Sequence, residues 1–136
     1  MIPVIDVFHA LYNDNELNDL MDEIRGTSLD TQTIFQLAIP EDFQKKEKAP
    51  LIRIESINNY GAFYCDDIRN SEIAFVQVST MTPLLKDLAQ LICIIDRVMK
   101  EAGYEQYSDQ LYREPDLGFM YSARSYSCQK FDIEGD

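Results

Sequence analysis

The single histidine, His9, is the first residue to consider for catalysis or metal binding. It follows Phe8 in a segment whose apolar residues have helical spacing, and the chain contains no second histidine to join it. A zinc site needs three or four ligands, and a serine or cysteine nucleophile needs a base close to it. We therefore expect His9 to be an ordinary surface or partly buried side chain.

The densest group of potential ligands is formed by Cys65, Asp66 and Asp67. Adjacent acids can bind calcium, but the alternating ligands and the glycine of an EF-hand loop are missing here, so a solvated turn is expected. The phosphate-binding patterns G-x-x-x-x-G-K-[ST] and G-x-G-x-x-G are also missing. Because the chain has 24 acids, paired carboxylates are inevitable and carry no information. We therefore predict no enzyme, no cofactor and no metal.

Tyrosines are concentrated in the last third of the chain: Tyr104, Tyr107, Tyr112, Tyr121 and Tyr126. Tyrosine suits surfaces that are dry on one side and wet on the other, and it is enriched at protein interfaces. It is also common in strands, where it flanks small cores. The composition alone leaves both interpretations open.

Two amphipathic segments predict the helices that must position these residues. Residues 3–25 carry one apolar stripe with a turn at Asn13 or Asp14, which indicates one kinked helix or two short ones ending at Gly26. The second helix follows Pro83 and stops at Gly103.

The second helix has its own start signals and one cysteine. Thr80 or Thr82 is expected to cap it, and Pro83 suits its first turn. Cys93 lies within its apolar sequence and is expected to be a small core residue. The three cysteines are not closely spaced, which indicates a reducing compartment rather than a disulfide framework.

Alternating and apolar runs predict about five strands, near residues 31–40, 51–58, 71–80, 104–113 and 118–130. The order of elements is then α-β-β-β-α-β-β. Because neighbouring strands favour hairpins, we expect an α+β fold with a mostly antiparallel sheet and the two main helices on one face. Residues 1–130 are expected to form one domain and residues 131–136 a short acidic tail.

The third strand, "SEIAFVQVST", is apolar on both faces. Ala74, Val76 and Val78 alternate with Ile73 and Phe75. A sheet with one wet face needs apolar residues on one side only. Since the helices cover one side and no third layer remains, we expect another subunit to cover the other. Unpaired sheet edges offer a second route to association, by strand addition.

The charge of the chain excludes some functions. Its net charge is −12, and residues 1–30 contain seven acids and a single base, Arg25. Binding to a phosphate backbone is therefore not expected to be the main role. Solubility is the simplest interpretation of this charge, and repulsion of DNA from a surface that it slides past is the alternative. The start of the chain lacks a basic signal-peptide region, and its longest apolar run, "LICII", is too short to cross a bilayer.

Three stretches carry a resemblance to a known group of proteins: "APLIRIESI", then "SEIAFVQVST" leading through "LLKDLAQLICIIDRVMKEAGY", and finally "REPDLGFMYSARSYSCQ" with its Arg124. In their order and pattern they resemble small tail-completion or tail-terminator proteins of long-tailed bacteriophages, especially tail components of phages and prophages of Gram-positive bacteria. The resemblance covers roughly residues 1–130. It rests on pattern and order, not on a catalytic motif.

The resemblance implies a structural virion protein that is not an enzyme. Such proteins form a ring, commonly of six subunits, at the head-proximal end of the tail tube, where they stop tube polymerisation and join the tail to the head connector. The implied partners are further copies of the chain, the major tail tube protein and a head-closure or connector protein. The protein is then expected in the host cytoplasm during assembly and in the virion tail or neck afterwards. No membrane is involved, and genomic DNA passes through the acidic lumen without specific binding.

A closed ring uses a heterologous interface, in which one patch meets a different patch on the neighbour. The residues expected in this subunit interface are Ile73, Phe75, Tyr121, Arg124 and Tyr126. A charged loop is expected to contact the tube or the connector through Glu41, Asp42, Lys45, Lys46 and Lys48. Two other functions stay open: a head-closure or connector protein of the same virion, and an acidic binding module that mimics DNA or sequesters a basic partner.

Overall fold

The computed structural model describes residues 2–57 and 71–131, which form a five-stranded sheet with helices packed on one side. The helices are α1 (Pro3–Tyr12), α2 (Asn15–Arg25) and α3 (Leu85–Glu101). The strands are β1 (Ile34–Gln36), β2 (Leu51–Ser56), β3 (Ser71–Thr82), β4 (Glu105–Arg113) and β5 (Met120–Phe131). The predicted α+β fold is therefore confirmed.

The strands lie in the order β1-β2-β3-β5-β4. All neighbouring pairs are antiparallel except β1 and β2, which are parallel. The prediction of a mostly antiparallel sheet is thus confirmed. A parallel pair needs a connection that travels back along the sheet, and here residues 37–50 do so with two short 3-10 turns instead of an α-helix.

The first helical segment consists of two helices. The side chain of Asp14 accepts a hydrogen bond from the backbone N–H of Leu17 at 3.0 Å, and this cap starts α2. Gly26 ends α2 in the left-handed conformation, with φ at 87°. The predicted turn and stop are therefore both present.

The start of α3 differs from the prediction. Strand β3 continues through Thr82, and the helix begins at Leu85 without a side-chain cap. Thr80 and Thr82 cannot cap the helix because both are paired with β5 as strand residues. Cys93 was also predicted wrongly as a core residue, since it lies on the exposed surface of α3.

The main core lies between the helices and one face of the sheet. Ala74, Val76 and Val78 of β3 point into it, as the alternation in the sequence predicts. They pack with residues of all three helices, among them Val7, Leu17 and Ile95. Burial of this helix-facing side supplies most of the apolar contact that holds the fold together.

A second, smaller core covers part of the outer face, by which we mean the face of the sheet away from the helices. Ile39, Ala49 and Phe119 pack there on three residues at one end of the sheet: Leu51, Met81 and Tyr121. The segment between β1 and β2 therefore forms a partial third layer. The expectation that the chain has no third layer is wrong for this end of the outer face.

Arg25 on α2 connects the helices to the partial third layer through hydrogen bonds. Its side chain is only 1% exposed. The guanidinium donates to the carbonyl oxygens of Lys48 and Pro50 at 3.2 and 3.4 Å, and to the Thr33 hydroxyl at 2.8 Å. Burial lowers the pKa of Arg25, and the charge of Asp22, 3.2 Å away, opposes that effect. The single base of the acidic N-terminal region is thus a structural link.

Candidate functional site

Of the residues first considered for chemistry, the structure describes His9. His9 is exposed on α1. In residues 2–57 and 71–131, no three or more His, Cys, Asp and Glu side chains are grouped so as to hold a metal ion. Within the same residues, no helix has both the length and the apolar character needed to cross a membrane. Residues 65–67 lie outside the described part of the chain.

The least covered element is β4, at the edge of the sheet. All nine of its residues are exposed. The helices explain this, because α1 packs over β1 to β3 and α3 lies mainly over β3 and β5. Strand β4 therefore extends beyond the helix layer, and both of its faces are accessible.

Aromatic side chains of β4 lie on the outer face. The ring of Tyr107, which is 51% exposed, meets the ring of Phe75 edge-on with centroids 5.9 Å apart. Tyr112 stacks on Tyr121 with centroids 4.9 Å apart. The register between β4 and β5 shifts between Gln106 and Ser108, so Tyr107 lies at a bulge or similar irregularity in the strand pairing. We call Phe75, Tyr107 and Tyr112 the aromatic surface.

The guanidinium of Arg53 lies on the outer face, between its covered and uncovered parts. Arg53 on β2 donates from Nη2 to the hydroxyl of Tyr121 at 2.6 Å. Its Nε makes no hydrogen bond, although a carboxylate oxygen of Glu55 lies 3.4 Å away. The half-buried guanidinium therefore keeps some capacity to bind a further acceptor on this face.

The helix-facing side of β5 carries a polar cluster. Arg124 donates to both carboxylate oxygens of Asp96 on α3, at 3.0 and 2.8 Å, and the Tyr126 hydroxyl donates to Asp96 at 2.5 Å. Burial raises the pKa of Tyr126, and its hydrogen bond to Asp96 raises it further. Burial opposes the charged form of Arg124, but the hydrogen bonds to Asp96 and Tyr126 outweigh this and raise its pKa.

The five residues predicted for the subunit interface do not form one surface. Ile73 and Phe75 lie half-buried on the outer face, where an interface role for them stays a prediction. Tyr121 shares that face but is buried in the smaller core. Arg124 and Tyr126 lie on the opposite side of the sheet, beneath α3.

Tyr126 in particular must be withdrawn from the predicted interface. It is 1% exposed, because its pairing with Val76 places it on the helix-facing side. Its ring fills the main core and its hydroxyl is used by Asp96. The two-residue period of a strand puts Arg124 on the same side.

The residues predicted for a tube or connector contact lie on the segment that crosses the outer face: Glu41, Asp42, Lys45, Lys46 and Lys48. All are exposed except Lys48, which is partly buried with its ammonium 5.5 Å from the centre of the Phe43 ring. Phe43 in turn packs on Phe35. The loop thus holds its charged side chains above the sheet, and their contact with another protein stays a prediction.

Two exposed apolar residues on the helix-facing side were not recognised in the sequence. Leu111 of β4 is 53% exposed, and Leu85 at the start of α3 is 52% exposed. The sequence of β4 did indicate an exposed strand, because its residues are mostly polar on both faces. An edge strand that extends beyond the helices has no buried face and therefore needs no apolar side.

Comparison with protein-family profiles finds no match for this chain, and comparison with curated proteins finds none either.

Proposed function

We propose that this protein is a structural subunit that assembles into a ring at the head-proximal end of a bacteriophage tail tube. The ring stops tube polymerisation and provides the surface to which the head connector attaches. The single observation that carries the proposal is the aromatic surface of Phe75, Tyr107 and Tyr112. It adds to the resemblance of the sequence to tail-terminator proteins.

An aromatic surface of this kind supports an assembly role. Tyr107 is exposed next to the half-buried Phe75, and Tyr112, five residues further along β4, is exposed beside Tyr121 on the same face of the sheet. Aromatic residues on a preformed surface bury a large area with little loss of side-chain entropy. Contact with a neighbouring protein would remove this apolar area from water, which favours assembly over an isolated subunit.

The net charge of −12 suits the same role. A ring on the tail tube must let DNA pass. Like charges on the lumen wall and on the phosphate backbone give no counterion release, so DNA has no reason to bind there. The charge therefore supports passage of DNA rather than its recognition.

Assembly is tested by light scattering after size-exclusion chromatography. The wild-type protein is expected to form a ring-sized oligomer, alone or with added tube protein. Phe75→Asp should abolish the oligomer and leave the subunit folded. Gln90→Asp adds the same charge on the exposed surface of α3 and serves as the matched control. If Phe75→Asp unfolds the subunit, Tyr107→Asp repeats the test at a more exposed position.

The place in the virion is tested by electron microscopy of particles made without this protein. Overlong tubes without heads are expected if the protein terminates the tube. Heads that leak DNA beside tails of normal length would instead assign it to the head-side connector. A stable monomer that binds a basic host protein would contradict both and favour an acidic binding module.

A further inference from the structure

Strand β4 has one free edge among the residues that the structure describes. The strand order β1-β2-β3-β5-β4 pairs it with β5 on one side only, and all nine of its residues are exposed. A free strand edge presents backbone N–H and C=O groups that can pair with another strand. The opposite edge of the sheet is β1, which has only three residues. Association by strand pairing is therefore expected at β4.

The irregularity at Tyr107 divides β4 into two parts. Residues 108–113 pair with β5 in one uninterrupted register, whereas residues 105–106 pair in a register shifted by one. A bulge twists a strand and disturbs pairing next to it. Residues 108–113 also contain no proline, which would block a ladder. We call residues 108–113 the edge segment, because this part of β4 is regular enough to extend the sheet.

The register with β5 assigns each residue of the edge segment to one face of the sheet. Asp109, Leu111 and Arg113 follow one another at a spacing of two and project on the helix-facing side. Gln110 and Tyr112 project on the outer face, where Tyr112 stacks on its partner in β5. Each face of the edge segment thus has its own short pattern of residue types.

Two identical strands can pair antiparallel about a two-fold axis perpendicular to the sheet. Residues opposite each other must then project on the same face, so each allowed register is centred on one residue that lies opposite its own copy. Four such registers keep the central residue and its two neighbours within the edge segment. Their centres are Asp109, Gln110, Leu111 and Tyr112.

The residue types match in the register centred on Leu111. It places Leu111 opposite its own copy, Gln110 opposite Tyr112, and Asp109 opposite Arg113. By symmetry, the last two pairs each occur twice. Opposite charges that lie directly across an antiparallel pair are stabilising, and so are apolar contacts in that position. The charges and the exposed leucine of the edge segment are therefore both accommodated by a second copy of the same segment.

The other three registers produce mismatches. Centring on Asp109 places two aspartates opposite each other, and like charges in that position are destabilising. Centring on Gln110 places Asp109 opposite Leu111. Centring on Tyr112 places Leu111 opposite Arg113. In each of these last two registers a charged group faces an apolar side chain, so residue type favours the register centred on Leu111.

The two charged side chains are accessible for this contact. Both are exposed in the subunit. Asp109 has a long contact of 3.4 Å with Nη1 of Arg124 through one carboxylate oxygen. Arg113 donates from Nη1 to the carbonyl oxygen of Gly118 at 3.3 Å, which uses one of its five N–H groups. Each group therefore keeps capacity to bind a partner across the axis.

We propose that two copies of this chain form a two-fold symmetric dimer in which their edge segments pair antiparallel, centred on Leu111. The two sheets of five strands become one sheet of ten, with the helices of both copies on the same side. Each Leu111, which is 53% exposed in the subunit, is then partly covered by its copy.

The helices leave room for this pairing. Helix α3 packs mainly on β3 and β5 and only partly on β4. In the dimer the two β5 strands lie three strand spacings apart, about 14 Å. A helix with its side chains is about 10 Å wide, so the α3 helices of the two copies fit side by side.

This inference goes beyond the proposed function. A contact between identical patches closes on itself, so it joins two copies and does not by itself build a ring. The dimer uses the backbone edge of β4, whereas the aromatic surface is formed by side chains on the outer face. Either contact can therefore form without the other, and their tests can fail separately.

Disulfide cross-linking tests the register of the dimer. The full chain is used with Cys65 and Cys93 replaced by serine, and each variant then carries one new cysteine: Asp109→Cys, Gln110→Cys, Leu111→Cys or Tyr112→Cys. A disulfide needs Cα atoms about 4.4–6.8 Å apart, which residues directly opposite each other in an antiparallel pair satisfy. Under mild oxidation Leu111→Cys should give a covalent dimer, and the other three variants should give much less.

A mixture of two variants checks the same register at a second place. Asp109→Cys mixed with Arg113→Cys should give a covalent heterodimer, although neither variant should cross-link efficiently alone. Equal yields at all four single positions, a preference for a position other than Leu111, or no cross-link at any position would overturn the proposal.

Charge reversal tests the contact without new cysteines, by sedimentation equilibrium at up to about 1 mM subunit and about 0.15 M salt. Asp109→Arg and Arg113→Asp should each weaken association about tenfold, because two pairs of like charges then face each other in every dimer. The double variant should associate about as well as the wild type. Melting temperatures report whether each variant remains folded.

Glu105→Arg is the matched control for these variants. It makes the same change in net charge as Asp109→Arg but lies outside the edge segment, so it should not weaken association. A wild-type protein that stays monomeric over the whole concentration range would overturn the proposal. A double variant that associates no better than the single variants would overturn it as well.

Discussion

Arg124 and Asp96 form a two-pronged ion pair that joins the sheet to α3, with Nε and Nη2 of Arg124 at 3.0 and 2.8 Å from the two carboxylate oxygens. The Arg124 side chain is mostly buried, whereas Asp96 is partly open to solvent. Because the paired geometry fixes both side chains, it fixes the distance between α3 and β5. The position of α3 on the sheet is therefore fixed at this point.

Removing the acid should destabilise the subunit. We expect Asp96→Asn to lower the free energy of unfolding by about 1–3 kcal/mol, because Arg124 and Tyr126 both lose their charged acceptor. The control is Glu101→Gln, which breaks the exposed pair with Arg97 and should cost less than about 0.5 kcal/mol. Urea unfolding measures both, and equal effects would show that the Asp96 cluster adds no more to stability than an exposed ion pair does.

Two tyrosines should make the protein sensitive to alkali. Burial raises the pKa of Tyr104 and of Tyr126, helped by the charges of Asp6 and Asp96 respectively. The folded state thus keeps these protons more firmly than the unfolded chain does. Their contribution is complete below the unfolded pKa of about 10 and is lost above it, at about 1.4 kcal/mol per pH unit for each tyrosine.

Unfolding measured between pH 8 and pH 11 tests this expectation. Stability should be level up to about pH 10, the pKa of an unperturbed tyrosine, and then fall. In Tyr126→Phe the fall should be shallower, because one of the two groups is gone. A slope that Tyr126→Phe leaves unchanged would rule out Tyr126 as its source.

Replacing the buried arginine should loosen the cover of the outer face. We expect Arg25→Met to cost about 2–3 kcal/mol, because the carbonyl oxygens of Lys48 and Pro50 lose a charged donor in a buried place. Hydrogen exchange should speed up in residues 41–50 more than in α3. Arg113→Met is the control, since Arg113 is exposed, and it should change neither quantity appreciably.

A single glycine should relieve backbone strain at the end of β1. Leu37 has φ at 74°, a left-handed conformation that costs a residue with a Cβ about 1–2 kcal/mol. Its side chain is 61% exposed, so little burial is lost on removing it. Leu37→Gly should therefore stabilise the fold by about 0.5 kcal/mol after the greater entropy of glycine in the unfolded chain is subtracted. Leu37→Ala, which keeps the Cβ, should give no such gain in thermal unfolding.

The two described cysteines should react at different rates. Cys93 is exposed and Cys128 is buried, so iodoacetamide should modify Cys93 in the native protein and Cys128 only after unfolding. Peptide mapping by mass spectrometry distinguishes the two sites. Rapid native modification of Cys128 would mean that the end of the sheet opens readily.

Local patterns in the sequence were sufficient where one interaction dominates. The alternation of Ala74 and Val76 with Ile73 and Phe75 predicts which side of β3 faces the helices, because strand periodicity leaves two choices and only one puts the valines inside. The cap at Asp14 was predictable because it involves a residue only three positions away.

Features set by pairing between distant residues were not predictable in this way. The side of the sheet on which Tyr126 lies depends on its register with Val76, fifty residues earlier in the chain. Thr82 has the chemistry of a helix cap, yet its pairing with β5 makes it a strand residue. In both cases tertiary contacts override what the local sequence favours.

The cover of the outer face escaped prediction for a different reason. Residues 41–48 contain one apolar side chain, Phe43, so no periodic pattern marks them as a packing segment. The candidate site shares this difficulty, because Phe75 and Tyr107 become neighbours only through the pairing of both β3 and β4 with β5. Exposure of an apolar residue is a property of the assembled layers and cannot be read from its own segment.

Residues 37–50 do two things: they connect the parallel strands β1 and β2, and they cover part of the outer face of the sheet. To reverse along β1, which has three residues, a connection needs to return only about 10 Å. The connection formed by residues 37–50 is much longer than that, and its additional residues pack over Leu51 and Met81. Shortening this connection would keep the strands joined but expose apolar residues on the same face of the sheet as Phe75, so the apolar area open to a neighbouring protein would grow without any change in topology.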